Sequence, residues 1–226
     1  MELAYIFLAL TGGLVPALFW LWFWLREDRA HPEPKALIVS SFIAGMLVVA
    51  LVLPLQQFAL KRFANDDLML VWVIIEEVLK YSAALIVVLW NKAVDEPVDA
   101  IIYMIAIALG FSALENALFI FNPLSAGHLT ESILTGNFRF LGATLLHVLA
   151  SGTVGAFMAF AFYKGKVARI TYATLGLCSA IVLHTLFNFS IMSAGREMVI
   201  NVFMFVWLGI IILFLIFEKV KRIRPS

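Results

Sequence analysis

Residues 73–81 read Val-Ile-Ile-Glu-Glu-Val-Leu-Lys-Tyr, inside a run that is otherwise apolar from about 68 to 90. A charged side chain at the centre of a membrane helix costs roughly 2.5–3.5 kcal/mol, so three of them need partners or a water-filled cavity. On a helix, Lys80 can reach either Glu76 or Glu77, but one lysine cannot neutralise two acids. The surplus carboxylate predicts a functional site at this depth.

The composition is that of a polytopic membrane protein. The chain has 226 residues, of which 63% are hydrophobic and only 14% charged, and its mean hydropathy is +1.00. A soluble domain does not have this balance. The net charge of +1, without a basic cluster among aromatics, indicates no nucleic-acid partner. The one cysteine, Cys178, allows neither an internal disulfide nor a cysteine-based metal site.

About twenty apolar residues cross the hydrocarbon core of a bilayer, and the chain provides that length seven times. We therefore predict a single all-α integral membrane domain, 1–226, with spans at 3–25, 36–60, 68–90, 98–121, 138–163, 170–193 and 197–217. No positive charge precedes the first run, so we expect it to stay as an anchor rather than be cleaved as a signal peptide. Residues 95–99, Asp-Glu-Pro-Val-Asp, are typical of a helix start.

The distribution of lysine and arginine predicts the orientation. Eleven such residues fall on one side of the predicted membrane: Arg26, Arg29, Lys35, Lys92, Lys164, Lys166, Arg169, Lys219, Lys221, Arg222 and Arg224. Four fall on the other: Lys61, Arg62, Arg139 and Arg196. We predict that the N-terminus is outside and the C-terminus is cytoplasmic.

Polar residues also interrupt three further spans. They are Glu115 and Asn116 in the fourth, His147 in the fifth, and His184 and Asn188 in the sixth. A helix rises 1.5 Å per residue, so the depth of each residue can be calculated from its distance to the end of its span. Roughly 9–14 Å below the outer surface lie Glu76, Glu115, His147 and His184. Scattered structural residues have no reason to agree in depth, so we predict one polar chamber. His184 and Asn188 share a helix face, so the amide can orient the imidazole or bind substrate.

Carboxylates and imidazoles without a serine or cysteine nucleophile indicate activation of a water. A buried glutamate can act as general base, or two histidines and a glutamate can hold a zinc ion. The chain has no His-Glu-x-x-His motif, so a zinc site would combine separate helices, and its candidate ligands are His147, His184 and Glu115. Zinc-assisted and glutamate-only hydrolysis both stay open. We predict hydrolysis of an amide bond within the membrane or near its outer face.

Our leading hypothesis assigns each of these residues a role. Glu76 activates the water, Glu77 assists, and both histidines bind a metal or the developing oxyanion. We assign Asn188, Lys80 and Asn116 to substrate binding, with Lys80 also balancing charge. An interfacial cap near the outer end of the second span is expected from Gln56, Gln57, Lys61 and Arg62. Arg139 can meet a substrate or a lipid headgroup, and we favour the headgroup.

Two other classes of function are compatible with the residues. Buried glutamate, histidine and lysine also serve proton- or ion-coupled transporters, although the inverted repeats that support a transporter are absent from the sequence. A membrane scaffold or immunity protein would need no catalytic residues at all. Ion flux without proteolysis would indicate a transporter. Unchanged function in Glu76→Gln and His184→Ala would indicate a scaffold or immunity protein.

An ordered set of motifs on consecutive spans carries a family resemblance. It comprises Glu33-Pro34, Glu76-Glu77-x-x-Lys80, Asp99, Gly110-Phe111-x-x-x-Glu115-Asn116, His147 and His184-x-x-x-Asn188. With this set, nearly the whole chain resembles the PrsW family of intramembrane proteases. That family is similar to the CAAX-prenyl-protease and bacteriocin-processing membrane peptidases.

The resemblance implies a multi-pass endopeptidase of the cell (cytoplasmic or inner) membrane, surrounded by lipid. It implies first-site cleavage of a transmembrane substrate similar to an anti-sigma factor. Catalytic residues of the family map onto Glu76, Glu77 and His184, with Glu115 and His147 also in the site. Prenyl-protease relatives carry Phe-x-x-x-His where this chain has Phe111-x-x-x-Glu115, which argues against prenylated substrates.

Overall fold

The fold is all-helical in the computed structural model, which describes residues 2–29, 31–193 and 199–224. Within these ranges there is no strand, and the predicted fold class is confirmed. The helices are α1 (Glu2–Glu27), α2 (Lys35–Ala59), α3 (Asn65–Val87), α4 (Pro97–Ser125), α5 (Leu129–Phe138), α6 (Thr144–Phe160), α7 (Lys166–Ser193) and α8 (Val199–Val220). A π-helical segment, Arg139–Ala143, joins α5 to α6. These three elements form one long helix, so the described chain has seven long helices.

Six of the seven long helices are long and apolar enough to cross a membrane. The exception is α3, because Glu76, Glu77 and Lys80 interrupt its apolar run. The fifth helix begins at Leu129, earlier than the predicted start at 138. Its first residues are too polar for an apolar template, but they pack against α4, where the Ser132 hydroxyl donates to the carbonyl oxygen of Ile120 at 2.9 Å.

Helix α4 is the core of the bundle. Every residue in 97–113 is buried, and the helix packs against α1, α2 and α6. Its crossing with α2 brings backbone against backbone. A Cβ added to Gly110 would lie 1.9 Å from the carbonyl oxygen of Phe42, and one added to Gly45 would lie 2.0 Å from that of Ile107. Only glycine permits this approach, which fixes α2 and α4 beside each other.

The predicted start of α4 is confirmed. Pro97 occupies the first turn, where no backbone donor is needed. The Asp99 carboxylate accepts hydrogen bonds from the backbone N–H groups of Asp95 at 2.9 Å and Glu96 at 2.8 Å. Asp99 thus completes a capping box with Glu96.

Three segments with a predicted cytoplasmic location meet at one end of the bundle. The Lys221 ammonium donates to the carbonyl oxygen of Glu27 at 2.6 Å, and His31 lies 2.7 Å from Glu96. The end of α1, the loop before α4 and the end of α8 are therefore on the same side. That this side is the cytoplasm stays a prediction of the charge count.

Candidate active site

The carboxylate pair of α3 is buried inside the bundle. Glu76 is 7% exposed, Glu77 1% and Lys80 0%. The Lys80 ammonium donates to Oε1 of Glu77 at 2.6 Å. Lys80 therefore neutralises Glu77, and Glu76 is the surplus acid.

Glu76 keeps one oxygen free. Its Oε1 accepts a hydrogen bond from Nε2 of Gln56, on α2, at 2.8 Å. Its Oε2 is buried and has no hydrogen-bond partner among the residues that the structure describes. We expected Gln56 to cap its span, and that expectation is wrong, because its amide fixes the Glu76 carboxylate.

His184, on α7, faces the free oxygen of Glu76. Its Nδ1 lies 2.7 Å from Oε1 of Glu77, and its Nε2 lies 3.9 Å from Oε2 of Glu76. A carboxylate can only accept, so the proton is assigned to Nδ1 and the lone pair to Nε2. Glu77, rather than Asn188, orients this imidazole.

His147, on α6, lies between Lys80 of α3 and Glu115 of α4. Its Nδ1 lies 3.1 Å from the Lys80 ammonium, and its Nε2 lies 3.1 Å from Oε2 of Glu115. Its ring packs edge-to-face on that of His184, with 5.1 Å between centroids. The two histidines thus form one wall of the site.

Glu115 belongs to a second polar layer. Arg139 forms an ion pair with it and donates from Nε to Oδ1 of Asn116 at 2.5 Å. The Asn116 amide donates to Oγ1 of Thr144 at 2.9 Å and to Ser112 at 3.1 Å. The expectation that Arg139 meets lipid is wrong, because its guanidinium binds Glu115 and Asn116. Arg139 begins the π-helical segment, and such segments are frequent at functional sites.

The predicted substrate-binding residues differ in accessibility. Lys80 and Asn116 are 0% and 2% exposed, and their polar groups bind other side chains of the protein. Asn188 is half-buried, and its side chain makes no hydrogen bond to another described residue. Of the three, only Asn188 lines a cavity.

A cavity of about 940 Å³ contains the predicted chamber. Its polar lining includes Glu76, Glu115, Arg139, His147, His184 and Asn188. It continues to Asn65, Asn122 and Met192, near helix ends predicted to face outward. The residues that share a predicted depth therefore share one cavity.

Glu76, His147 and His184 are a candidate set of metal ligands. Each offers one ligand atom, all three residues are buried, and the three atoms lie within 4.8 Å of one another. An ion bound by His147 would replace the contact of that ring with Lys80 or with Glu115. Two imidazoles and a carboxylate are a donor set of catalytic zinc. The free Oε2 of Glu76 is a buried acceptor without a partner in the described chain, as a metal ligand requires. Glu115, the carboxylate we predicted for this set, is instead held by Arg139.

Sequence reasoning missed Gln56 and Arg139. Both lie close to predicted span ends, where polar residues are common, so position alone did not distinguish them. The charge count contains a signal for Arg139: three acids share the chamber with one lysine, and Arg139 is the basic residue that begins the fifth predicted span.

Comparisons with known proteins identify the family of the chain. A family model described as "PrsW family intramembrane metalloprotease" matches residues 33–216. The chain is 26% identical to Protease PrsW of Bacillus subtilis (strain 168) over 81% of its own length and 83% of the relative's. It is also 26% identical to Protease PrsW of Clostridioides difficile (strain 630), over 86% of its own length and 83% of the relative's. No solved structure matches significantly. The comparisons support a protease over the transporter and the scaffold.

Proposed function

Because the chain belongs to the PrsW family of intramembrane metalloproteases, we propose that it hydrolyses a peptide bond of a transmembrane protein in the cavity lined by Glu76, His147 and His184. The observation that carries this proposal is the free Oε2 of Glu76, buried and 3.9 Å from Nε2 of His184. Two acceptors without a proton between them can hold a small polar species, either a water or a cation.

Glu76 has two uses for this oxygen. As general base, Oε2 takes a proton from the attacking water and passes it to the leaving amine nitrogen. As a ligand, it completes the set of His147 and His184 for a divalent ion, which we propose is zinc. When bound, the ion supplies Lewis acidity that makes a nucleophile available near neutral pH.

The remaining residues position these groups. Glu77 holds the His184 ring with Nε2 toward the cavity, and Lys80 balances the charge of Glu77. Glu115, held by Arg139, accepts from Nε2 of His147. The other ring nitrogen of His147, Nδ1, accepts from the Lys80 ammonium. Asn188 is the open amide that donates to the substrate carbonyl or to its developing oxyanion.

The substrate and location follow the family resemblance. We propose a transmembrane substrate similar to an anti-sigma factor, cut first at this site, in the cytoplasmic membrane. We also propose that residues 1–226 act as one protease domain, because the ligands come from α3, α6 and α7, which pack in one bundle.

The direct test uses purified protein reconstituted in liposomes with a single-span membrane protein. Glu76→Gln keeps the shape of the side chain but removes the base and the ligand, so we expect at least a 100-fold loss of cleavage rate. Glu131→Gln, on an exposed residue of α5, is the matched control and should cleave as the wild type does. Equal cleavage by Glu76→Gln and wild type would overturn the assignment.

A further inference from the structure

A second group of carboxylates lies far from the cavity. Asp28 follows α1, Glu33 lies in the loop before α2, and Asp99 is in the first turn of α4. One oxygen of each lies within 4.8 Å of the others. Asp99 precedes Glu115 by sixteen residues on one helix, so about 24 Å separate this group from the candidate active site.

Asp28 is the member without compensation. It is 5% exposed, and its buried Oδ2 has no hydrogen-bond partner within the described ranges. The other two acids are fixed: the Tyr103 hydroxyl donates to Glu33, and Asp99 accepts backbone N–H groups of the loop before α4. Buried polar oxygens in proteins are normally satisfied, so the position of Asp28 needs a ligand or a proton.

The nearby lysine is engaged elsewhere. The Lys221 ammonium donates to the carbonyl oxygen of Glu27 and to Oε1 of Glu218, both at 2.6 Å. Burial, followed by the charge of Asp99, raises the pKa of Asp28 to about 6. Burial also raises the pKa of Glu33. The charges of Lys221 and His31 oppose the rise in the pKa of Asp28 and offset only part of it.

We propose that Asp28, Glu33 and Asp99 bind a hard divalent cation of the Mg²⁺ and Ca²⁺ class. The three side chains offer only oxygen atoms, which these ions prefer, whereas zinc favours sites with nitrogen or sulfur. The ion would fasten the connection between α1 and α2 to the start of α4. This site is separate in position and in donor type from the one that contains His147 and His184.

Thermal unfolding of the metal-depleted full-length protein in detergent tests the proposal, with MgCl₂ or CaCl₂ as the sole added divalent salt. We expect a saturable rise in Tm of roughly 5 °C when the ion is at about 100 times its Kd. Asp28→Asn should lose this rise, yet should unfold no earlier than wild type without the ion, because it removes repulsion among the acids. If Asp28 were merely a structural carboxylate, Asp28→Asn would unfold earlier than wild type without the ion and would respond to the ion as wild type does.

Matched variants separate this site from other effects. Asp67→Asn, on an exposed residue of α3, should keep the rise in Tm, which excludes general screening of acidic charge. His184→Ala should keep it too, which excludes binding at the candidate active site. If Asp28→Asn does not fold, Glu33→Gln replaces it.

Terbium luminescence provides the second measurement, since Tb³⁺ is a hard cation and Tyr103 contacts Glu33. We expect Tb³⁺ emission sensitised by the protein, displaced by Ca²⁺ and lost in Asp28→Asn. An absent saturable response to either ion, or an equal response in Asp28→Asn, would overturn the proposal and show that the acids share protons.

Discussion

At the scale of single residues, the site depends on which acid each cation neutralises. Lys80 forms an ion pair with Glu77, and Arg139 forms one with Glu115. Glu76 accepts a hydrogen bond only from the neutral amide of Gln56. A neutral donor leaves the charge of Glu76 in place, so this carboxylate keeps its capacity to bind a cation or accept a proton. The pairing thus distinguishes two adjacent glutamates that the sequence presents as equivalent.

In the proposed mechanism, Glu77 acts as a positioning residue through its contact with His184. Glu77→Gln preserves the shape but can present an amide donor to Nδ1, so the ring loses its preferred tautomer. We expect kcat for cleavage of a membrane reporter to fall 10–100-fold, with little change in KM. Asp67→Asn, on an exposed residue of the same helix, is the control. A Glu77→Gln enzyme with normal kcat would contradict the positioning role.

The sequence predicts the members of the site better than their contacts. Common depth was enough to group Glu76, Glu115, His147 and His184, because α-helices have a fixed rise per residue. Depth does not reveal which way a side chain turns around the helix axis. For this reason only the structure shows that Arg139 points inward. It also shows that the free carboxylate beside the two histidines belongs to Glu76 and not to Glu115.

At the scale of elements, the crossing of α2 and α4 determines where Glu115 stands. Gly110→Ala would place a methyl group against the Phe42 carbonyl, so the helices must separate. We expect a destabilisation of about 1–3 kcal/mol and a loss of cleavage, measured by thermal unfolding and by reporter assay. Gly165→Ala is the control, because a Cβ there meets nothing within 4 Å. Equal stability of both variants would contradict the close crossing.

Helix types were predictable, and their ends less so. The starts of α2 and α4 follow the sequence closely, since proline at 34 and 97 ends the preceding loop. The extension of the fifth helix back to Leu129 was not predictable from hydropathy, because its stability comes from contacts with α4. Tertiary packing therefore decided the boundary that local composition left open.

At the scale of the whole molecule, the orientation of the bundle decides from which side the cavity is reached. The charge count predicts that the start of α3 is outside and its end inside. In a Cys178→Ser background, a membrane-impermeant thiol reagent should label Asp67→Cys in intact cells and Asn91→Cys only after lysis. The reverse pattern would contradict the predicted orientation.

The proposed metal centre depends on the packing of three helices, because α3, α6 and α7 would each contribute one ligand. The most direct test is elemental analysis of the purified protein beside a His147→Ala, His184→Ala double variant. We predict about one zinc per wild-type chain and almost none in the variant. Equal and negligible zinc in both would contradict the metal centre and leave Glu76 as a base acting without a metal.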